Sequence, residues 1–188
     1  AATSDLTAVA YLVVLDGTYY FKTHYYLPES ALKDKADKEL YKYWKQQGYL
    51  TVTSGNVTDY DYITADMLRY ADVVNIQSVG YDKYNATQWA IDSTEQGLPL
   101  EEYPQTLGNF NMPTRELERL ILSGKAVIDN NEINRYCFRN VTLKSDYNGN
   151  VKPNKAVDKK KIDGTIAMIQ ALGMFLRNPR FSNEIITI

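Results

Sequence analysis

A-V-A-Y-L-V-V-L-D-G-T-Y-Y-F-K-T-H-Y-Y-L, residues 8–27, reads as a β-hairpin from its residue types alone. Ala8 to Leu15 is apolar and β-branched, Asp16-Gly17 is a two-residue turn signal, and Thr18 to Leu27 alternates aromatic with polar side chains. Pro28 stops the second strand. Downstream, Leu32, Ala36, Leu40 and Tyr43 recur at helical spacing until Gly48 supplies a C-terminal cap. Thr58 with Asp61 forms a capping-box pattern ahead of Ile63, Met67 and Tyr70, and Val73 to Val79 reads as a strand buried on both faces. Asn85 caps a third helix carrying Trp89 and Ala90, Leu100 to Thr106 is a short strand, and Pro113 opens a fourth helix that ends before Gly124. A hairpin-like region surrounds Asn148-Gly149, and a last helix runs from about Asp158 to Leu176. Helices alternating with strands after an initial hairpin predict an α/β layered domain with a mixed sheet.

The chain has 188 residues, long enough for a substantial core, and no Pro/Gly/Ser-rich linker divides it, so residues 1–188 are expected to form one domain. A net charge of −2 excludes a surface uniformly coated in basic residues but not a local patch. The single cysteine, Cys137, excludes an internal disulfide and a cysteine-based zinc site, which points to a reducing cytoplasm. The longest apolar run falls far short of the roughly 20 residues that span a bilayer, so a soluble protein without a membrane partner is expected. Most of the 16 tyrosines are read as packing at the edge of the core. His24 is the only histidine, and with no G-x-S-x-G elbow beside it a packed or surface role is expected. Neither G-x-x-x-x-G-K-[ST] nor G-x-G-x-x-G occurs, so ATP use would need another domain.

Two acids stand at element ends. Asp82 closes V-V-N-I-Q-S-V-G-Y-D, and Asp163 opens I-D-G-T-I-A-M-I-Q-A-L. Carboxylates on separate rigid elements can converge on hard divalent cations, which prefer oxygen ligands and activate water against a phosphodiester. Each acid can equally be a turn or helix-terminus residue, and spacing does not choose. From Arg135 to Lys161 the chain carries Arg135, Arg139, Lys144, Lys152, Lys155, Lys159, Lys160 and Lys161 against only Asp146 and Asp158. Such a segment beside an acidic site suits a phosphate backbone, the alternative being a solvated basic loop. Lys159 to Lys161 are placed in the first turn of the last helix, where the dipole disfavours each cation by about 0.3–1 kcal/mol.

With these features in hand, the chain resembles the C-terminal nuclease domain of tailed-bacteriophage terminase large subunits, the DNA-packaging motor-nucleases. The resemblance runs nearly end to end: A-A-T-S-D-L-T-A, Y-Y-L-P-E-S, Y-K-Y-W-K-Q-Q-G, G-Y-D-K-Y-N-A-T-Q-W, T-R-E-L-E-R-L-I-L-S-G-K, and N-x-x-L-K-x-D-x-N-G-N-x-K-P-N-K-A ahead of K-I-D-G-T-I-A. It implies an RNase H-like mixed β-sheet flanked by helices. It further implies a metal-dependent endonuclease that cuts concatemeric double-stranded DNA with two Mg2+ or Mn2+ ions. Asp82 matches the family's strand-end aspartate, Asp163 its late aspartate, and Asp5 a further aspartate beside the metals. Lys152, Lys155, Lys159, Lys160, Lys161, Arg135 and Arg139 would hold phosphates. The family opens this domain with a strand ending G-x-D-L, which lies upstream of A-A-T-S; the leading aspartate is therefore expected outside this sequence, and the strands beside it would show open edges. The implied partners are duplex DNA, an ATPase domain, a small terminase subunit and a portal, in the host cytoplasm. A docking module without catalysis and a junction resolvase are the alternatives.

Overall fold

A computed structural model of the chain describes residues 5–34, 37–83, 86–158 and 160–178. In chain order its elements are β1 (Thr7–Leu15), β2 (Thr18–Pro28), α1 (Ala31–Asp34), α2 (Lys38–Gln46), β3 (Thr51–Thr53), α3 (Tyr60–Ala71), β4 (Val79–Tyr81), α4 (Thr87–Glu95), β5 (Leu100–Glu102), α5 (Leu107–Leu122), β6 (Ala126–Ile128), α6 (Glu132–Arg139), β7 (Val141–Ser145), β8 (Val151–Lys155) and α7 (Asp163–Arg177). The expected hairpin is present, with β1 antiparallel to β2 from Thr7↔Tyr26 to Leu15↔Thr18. Asp16 and Gly17 both take positive φ, 49° and 73°, the two left-handed positions that a tight turn needs to match strand twist.

Strand β2 is the spine. Its other edge accepts β6 at Tyr19–Phe21 and β3 at Tyr26–Pro28, both parallel, which makes a mixed four-stranded sheet. Strands β4 and β5 pair in parallel and β7 and β8 form a second antiparallel hairpin. Among the described residues β1 pairs only with β2, and β4 only with β5.

Alternation sorts the hairpin's side chains into two layers. Ala8, Ala10, Leu12, Phe21, Tyr25 and Leu27 face the side covered by α2, α5, α6 and α7. Val9, Tyr11 and Tyr26 face Ile63, Met67 and Leu98 on the opposite side. Helix α7 buries Met168, Ile169, Leu172 and Met174, each worth roughly 1.5–3 kcal/mol, and packs on β1, β2 and β4. Terminal dipole effects, about 0.3–1 kcal/mol, are small beside this, so α7 is held by its middle and its first turn must be positioned by other contacts.

Several expected boundaries move. Residues 72–78 do not form a buried strand: Val73 and Val74 are exposed, and only Val79–Tyr81 pairs. An apolar run shows that a segment can be buried, and it is β4's pairing with β5 that fixes where the strand lies. The first helical stripe divides into α1 and α2. Asp59, and not Thr58, caps α3 by accepting from the Tyr62 N–H. Of the stretch Leu100 to Thr106 only Leu100–Glu102 is strand. Helix α7 begins at Asp163, so Lys160 and Lys161 precede it and escape the dipole penalty expected for its first turn. Asn85 and Lys159 lie outside the described residues. Strands β3 and β6 and helix α6 are additions to the elements expected from sequence.

Pro113 sits inside α5, which starts at Leu107 under a Thr106 cap. Proline has no N–H for the carbonyl four residues back, that of Asn109. The Tyr103 hydroxyl donates to that oxygen instead, at 2.7 Å. Tyr103→Phe should therefore strand a carbonyl and cost about 1–2 kcal/mol, read as a lower urea midpoint at unchanged slope. An unaltered midpoint would show that the carbonyl finds another donor.

Candidate active site

Asp5 lies just before β1, where its Oδ1 accepts the Leu6 N–H at 2.9 Å and pairs with the Lys161 ammonium. Asp163 is the first residue of α7, whose N-cap residue Ile162 offers no side-chain cap. One carboxylate oxygen of Asp163, Oδ2, is buried without a hydrogen-bond partner among the described residues. Burial raises the Asp163 pKa above the usual carboxylate range, the nearby Asp5 charge raises it further, and Lys155 and Lys161 act in the opposite sense. Asp5, Asp163, Lys155 and Lys161 thus share one electrostatic neighbourhood, although their elements are far apart in sequence.

An enclosed oxygen of this kind, on an acid whose charge burial disfavours, is stabilised either by a proton or by a cation. Lys161 supplies part of that charge through Asp5, and a hard divalent ion would supply more with the oxygen ligands it prefers. Carboxylate oxygens are the type of donor that Mg2+ or Mn2+ prefers. Among the described residues no three His, Cys, Asp or Glu side chains stand close enough to hold an ion by themselves. Asp82 follows β4 and is half-buried. Its strand meets α7 at Gly80, where a β-carbon would come within 2.5 Å of Met174 Cγ.

Of the basic residues, Lys155 and Lys161 act electrostatically on Asp163. Lys155 ends β8 and Lys160 lies 5.8 Å from the Tyr136 ring centroid, a cation–π contact. Lys152 Nζ donates to the Gln105 carbonyl at 2.9 Å, and Arg135 to Asn130 Oδ1 at 2.6 Å. Arg139 is exposed in the last turn of α6. His24 sits on the far face of the sheet between Asp66 (3.2 Å) and the Tyr70 hydroxyl (2.9 Å), a packed residue as expected.

Behind the acidic pair lies a polar set, with Tyr25 and Asn134 buried and Asp129 half-buried, that sequence reading missed. Tyr25 OH donates to Asn134 Oδ1 at 2.6 Å, and the Asn134 amide donates to Asp129 Oδ1 at 2.8 Å and to its carbonyl at 3.1 Å. Asp129 also accepts the Thr23 N–H. No local pattern announces partners so far apart in the chain; a tyrosine in a strand and an asparagine in a helix are ordinary singly. Cys137 packs here too, its thiol pushed up to about 11 chiefly by burial.

Comparison with known proteins follows the same outline. Residues 1–178 match the family model described as terminase large subunit, endonuclease domain. The terminase large subunit of Enterobacteria phage HK97 is 28% identical over 181 residues, covering 92% of this chain and 35% of that protein. Protein YmfN of Escherichia coli strain K12 is 32% identical over 187 residues, covering 90% and 40%. The chain thus spans well under half the length of these curated relatives. The crystal structure of the HK97 large terminase superposes with a TM-score of 0.83 at 27% identity, over 93% of this chain and 37% of that one. The large terminase nuclease of thermophilic phage G20c superposes at 0.51 with 14% identity, over 66% and 64%, a likeness of fold alone.

Proposed function

This chain belongs to the endonuclease-domain family of terminase large subunits, and from that premise we propose that it cuts concatemeric duplex DNA during genome packaging by divalent-metal-dependent phosphodiester hydrolysis. The observation that carries the reading is the orphaned, buried Oδ2 of Asp163 beside Asp5. Its fold is RNase H-like. Among the described residues no helix is long and apolar enough to cross a membrane.

Asp163 and Asp82 are the proposed metal ligands, and Asp5 supports them. When bound, Mg2+ or Mn2+ supplies Lewis-acid polarisation of the phosphate and a water activated at neutral pH. Asp163 brings a desolvated carboxylate, a state favoured only beside a cation. Lys161 pairs with Asp5 and offsets part of the repulsion between the two acids. Lys155, Lys160, Lys152, Arg135 and Arg139, with Lys159, seat the DNA backbone through phosphate contacts, which fix position without reading sequence. ATPase activity, a small subunit, a portal and the host cytoplasm belong to the proposed setting of the whole protein.

Full-length protein with Mg2+ or Mn2+ should cleave linear duplex, and EDTA should abolish the cleavage. Preference for four-way junctions would instead establish a resolvase, and binding of duplex with no cleavage in either metal a docking module. Lys155→Ala together with Lys160→Ala should weaken duplex binding equally across sequences. The slope of log K against log salt should shrink by about 0.9 for each phosphate that the variant no longer neutralises. An unchanged slope would return both lysines to the solvated surface.

A further inference from the structure

The Tyr25–Asn134–Asp129 chain, buried at Tyr25 and Asn134, ends against the one residue that follows Asp163. A β-carbon on Gly164 would land on the Tyr25 hydroxyl and within 2.7 Å of ring carbon Cζ, so only glycine lets α7 approach β2 this closely. Tyr25 is itself fixed. Its ring is 1% exposed, its hydroxyl is held by Asn134, and Asn134, 2% exposed, is oriented by two bonds to Asp129. Asp129 in turn is anchored on β2, accepting from the Thr23 N–H and donating its own N–H to the Phe21 carbonyl at 2.9 Å. Helix α7 has no side-chain cap to define its start.

We infer that Tyr25 is a positioning residue for Asp163: its hydroxyl, locked by Asn134 and Asp129, is the stop against which the first turn of α7 seats at Gly164, and this sets where the Asp163 carboxylate stands. This rests on the nuclease reading, in which Asp163 holds the metal. The chain ties three elements, β2, α6 and α7, to one oxygen atom. Side chains that orient a ligand from behind typically change metal affinity 10- to 100-fold when altered, and a carboxylate displaced by a fraction of an ångström loses coordination before the fold is lost. Asp163 and Tyr25 need not touch for this coupling; the rigid first turn transmits it.

The test measures Mn2+ affinity by calorimetry and the metal dependence of duplex cleavage in the full-length protein. Tyr25→Phe keeps the ring and removes the stop; the metal concentration for half-maximal cleavage should rise about 10-fold, with the rate at saturating metal nearly retained. Gly164→Ala forces a methyl onto the hydroxyl, and affinity should fall about 100-fold. Tyr25→Phe placed in the Gly164→Ala protein should recover part of that loss, because the nearest clashing atom is gone. A packing role alone would let the second change restore thermal stability while leaving metal affinity low. Should Gly164→Ala not fold, Tyr25→Phe and Asn134→Ala decide by themselves: wild-type metal midpoints in both overturn the inference. A wild-type protein that binds no Mn2+ would sink the nuclease reading and this inference with it, whereas normal wild-type binding with unaffected variants sinks the inference alone.

Discussion

Asp163→Asn should reduce metal-dependent duplex cleavage by at least about 1,000-fold while leaving DNA binding and the fold in place. The amide matches the carboxylate in shape but lacks the charge that holds a hard cation, and oxygen ligands of Mg2+ depend on that charge. The same change should raise the thermal stability of the metal-free protein. The Asp163 carboxyl is buried beside Asp5, and burial first, Asp5 second, raise its pKa. The sign follows from proton linkage. A carboxyl with a raised folded-state pKa destabilises the native state above that pKa, and the cost is relieved as pH falls through it, since the native protein then takes up its proton first. The advantage of Asp163→Asn over wild type should therefore be largest near neutral pH and shrink on acidification, each kcal/mol appearing as roughly 2–4 °C in Tm for a chain of this size. Added Mg2+ should reverse the order by stabilising only the wild type. Cleavage at the wild-type rate, or a variant less stable than wild type at neutral pH without metal, would remove Asp163 from the site.

Local encoding decides which parts of the fold can be read from sequence. The β1–β2 hairpin is legible because period-two alternation and Asp16-Gly17 lie in one window, and the β7–β8 hairpin because Asn148-Gly149 marks its turn. Strands β3 and β6 are not, since each is three residues long and exists by virtue of pairing with β2. Helix α6 is only eight residues long and so shows little periodicity, although Asn131 caps it in the ordinary way by accepting from the Ile133 N–H. Pro113 reads as a helix start because proline favours that position, and the Tyr103 hydroxyl that permits it mid-helix comes from another segment. At the site, Asp163 stands out as an acid opening an apolar helix. Asp5 enters only through family resemblance, and its place beside Asp163 and Lys161 is a tertiary fact. Gly164 looks like any glycine; its meaning lies in the Tyr25 hydroxyl above it.

On the far face of the sheet, Asp66→Ala should cost about 2–4 kcal/mol of stability, more than any single change among its polar neighbours. Asp66, on α3, is an acceptor for three donors: the Tyr26 hydroxyl, His24 Nδ1 at 3.2 Å and Arg69 at 2.5 Å. They are not equal. Arg69 is mostly exposed, and such surface pairs contribute about 0–1 kcal/mol, so Arg69→Ala should be mild. Tyr26 is 1% exposed, and its hydroxyl without an acceptor carries the full cost of an unsatisfied buried group, about 1–3 kcal/mol. His24 is left without a second partner as well, which loosens Tyr70, held by His24 at 2.9 Å and stacked on Tyr11 at 4.7 Å between ring centroids. Burial alone would raise the Asp66 pKa, but the bonds from Tyr26, His24 and Arg69 outweigh it and hold the carboxyl below its ordinary range. A depressed folded-state pKa means that this stabilisation is fully present above the unfolded-state value and is lost as pH falls through the folded one. Wild type should thus lose stability on acidification more steeply than Asp66→Ala, and the two curves should converge at low pH. A double-mutant cycle with Tyr26→Phe isolates the dominant bond: near-additive losses for that pair would show that Tyr26 and Asp66 stabilise the fold separately, and would transfer the effect to His24.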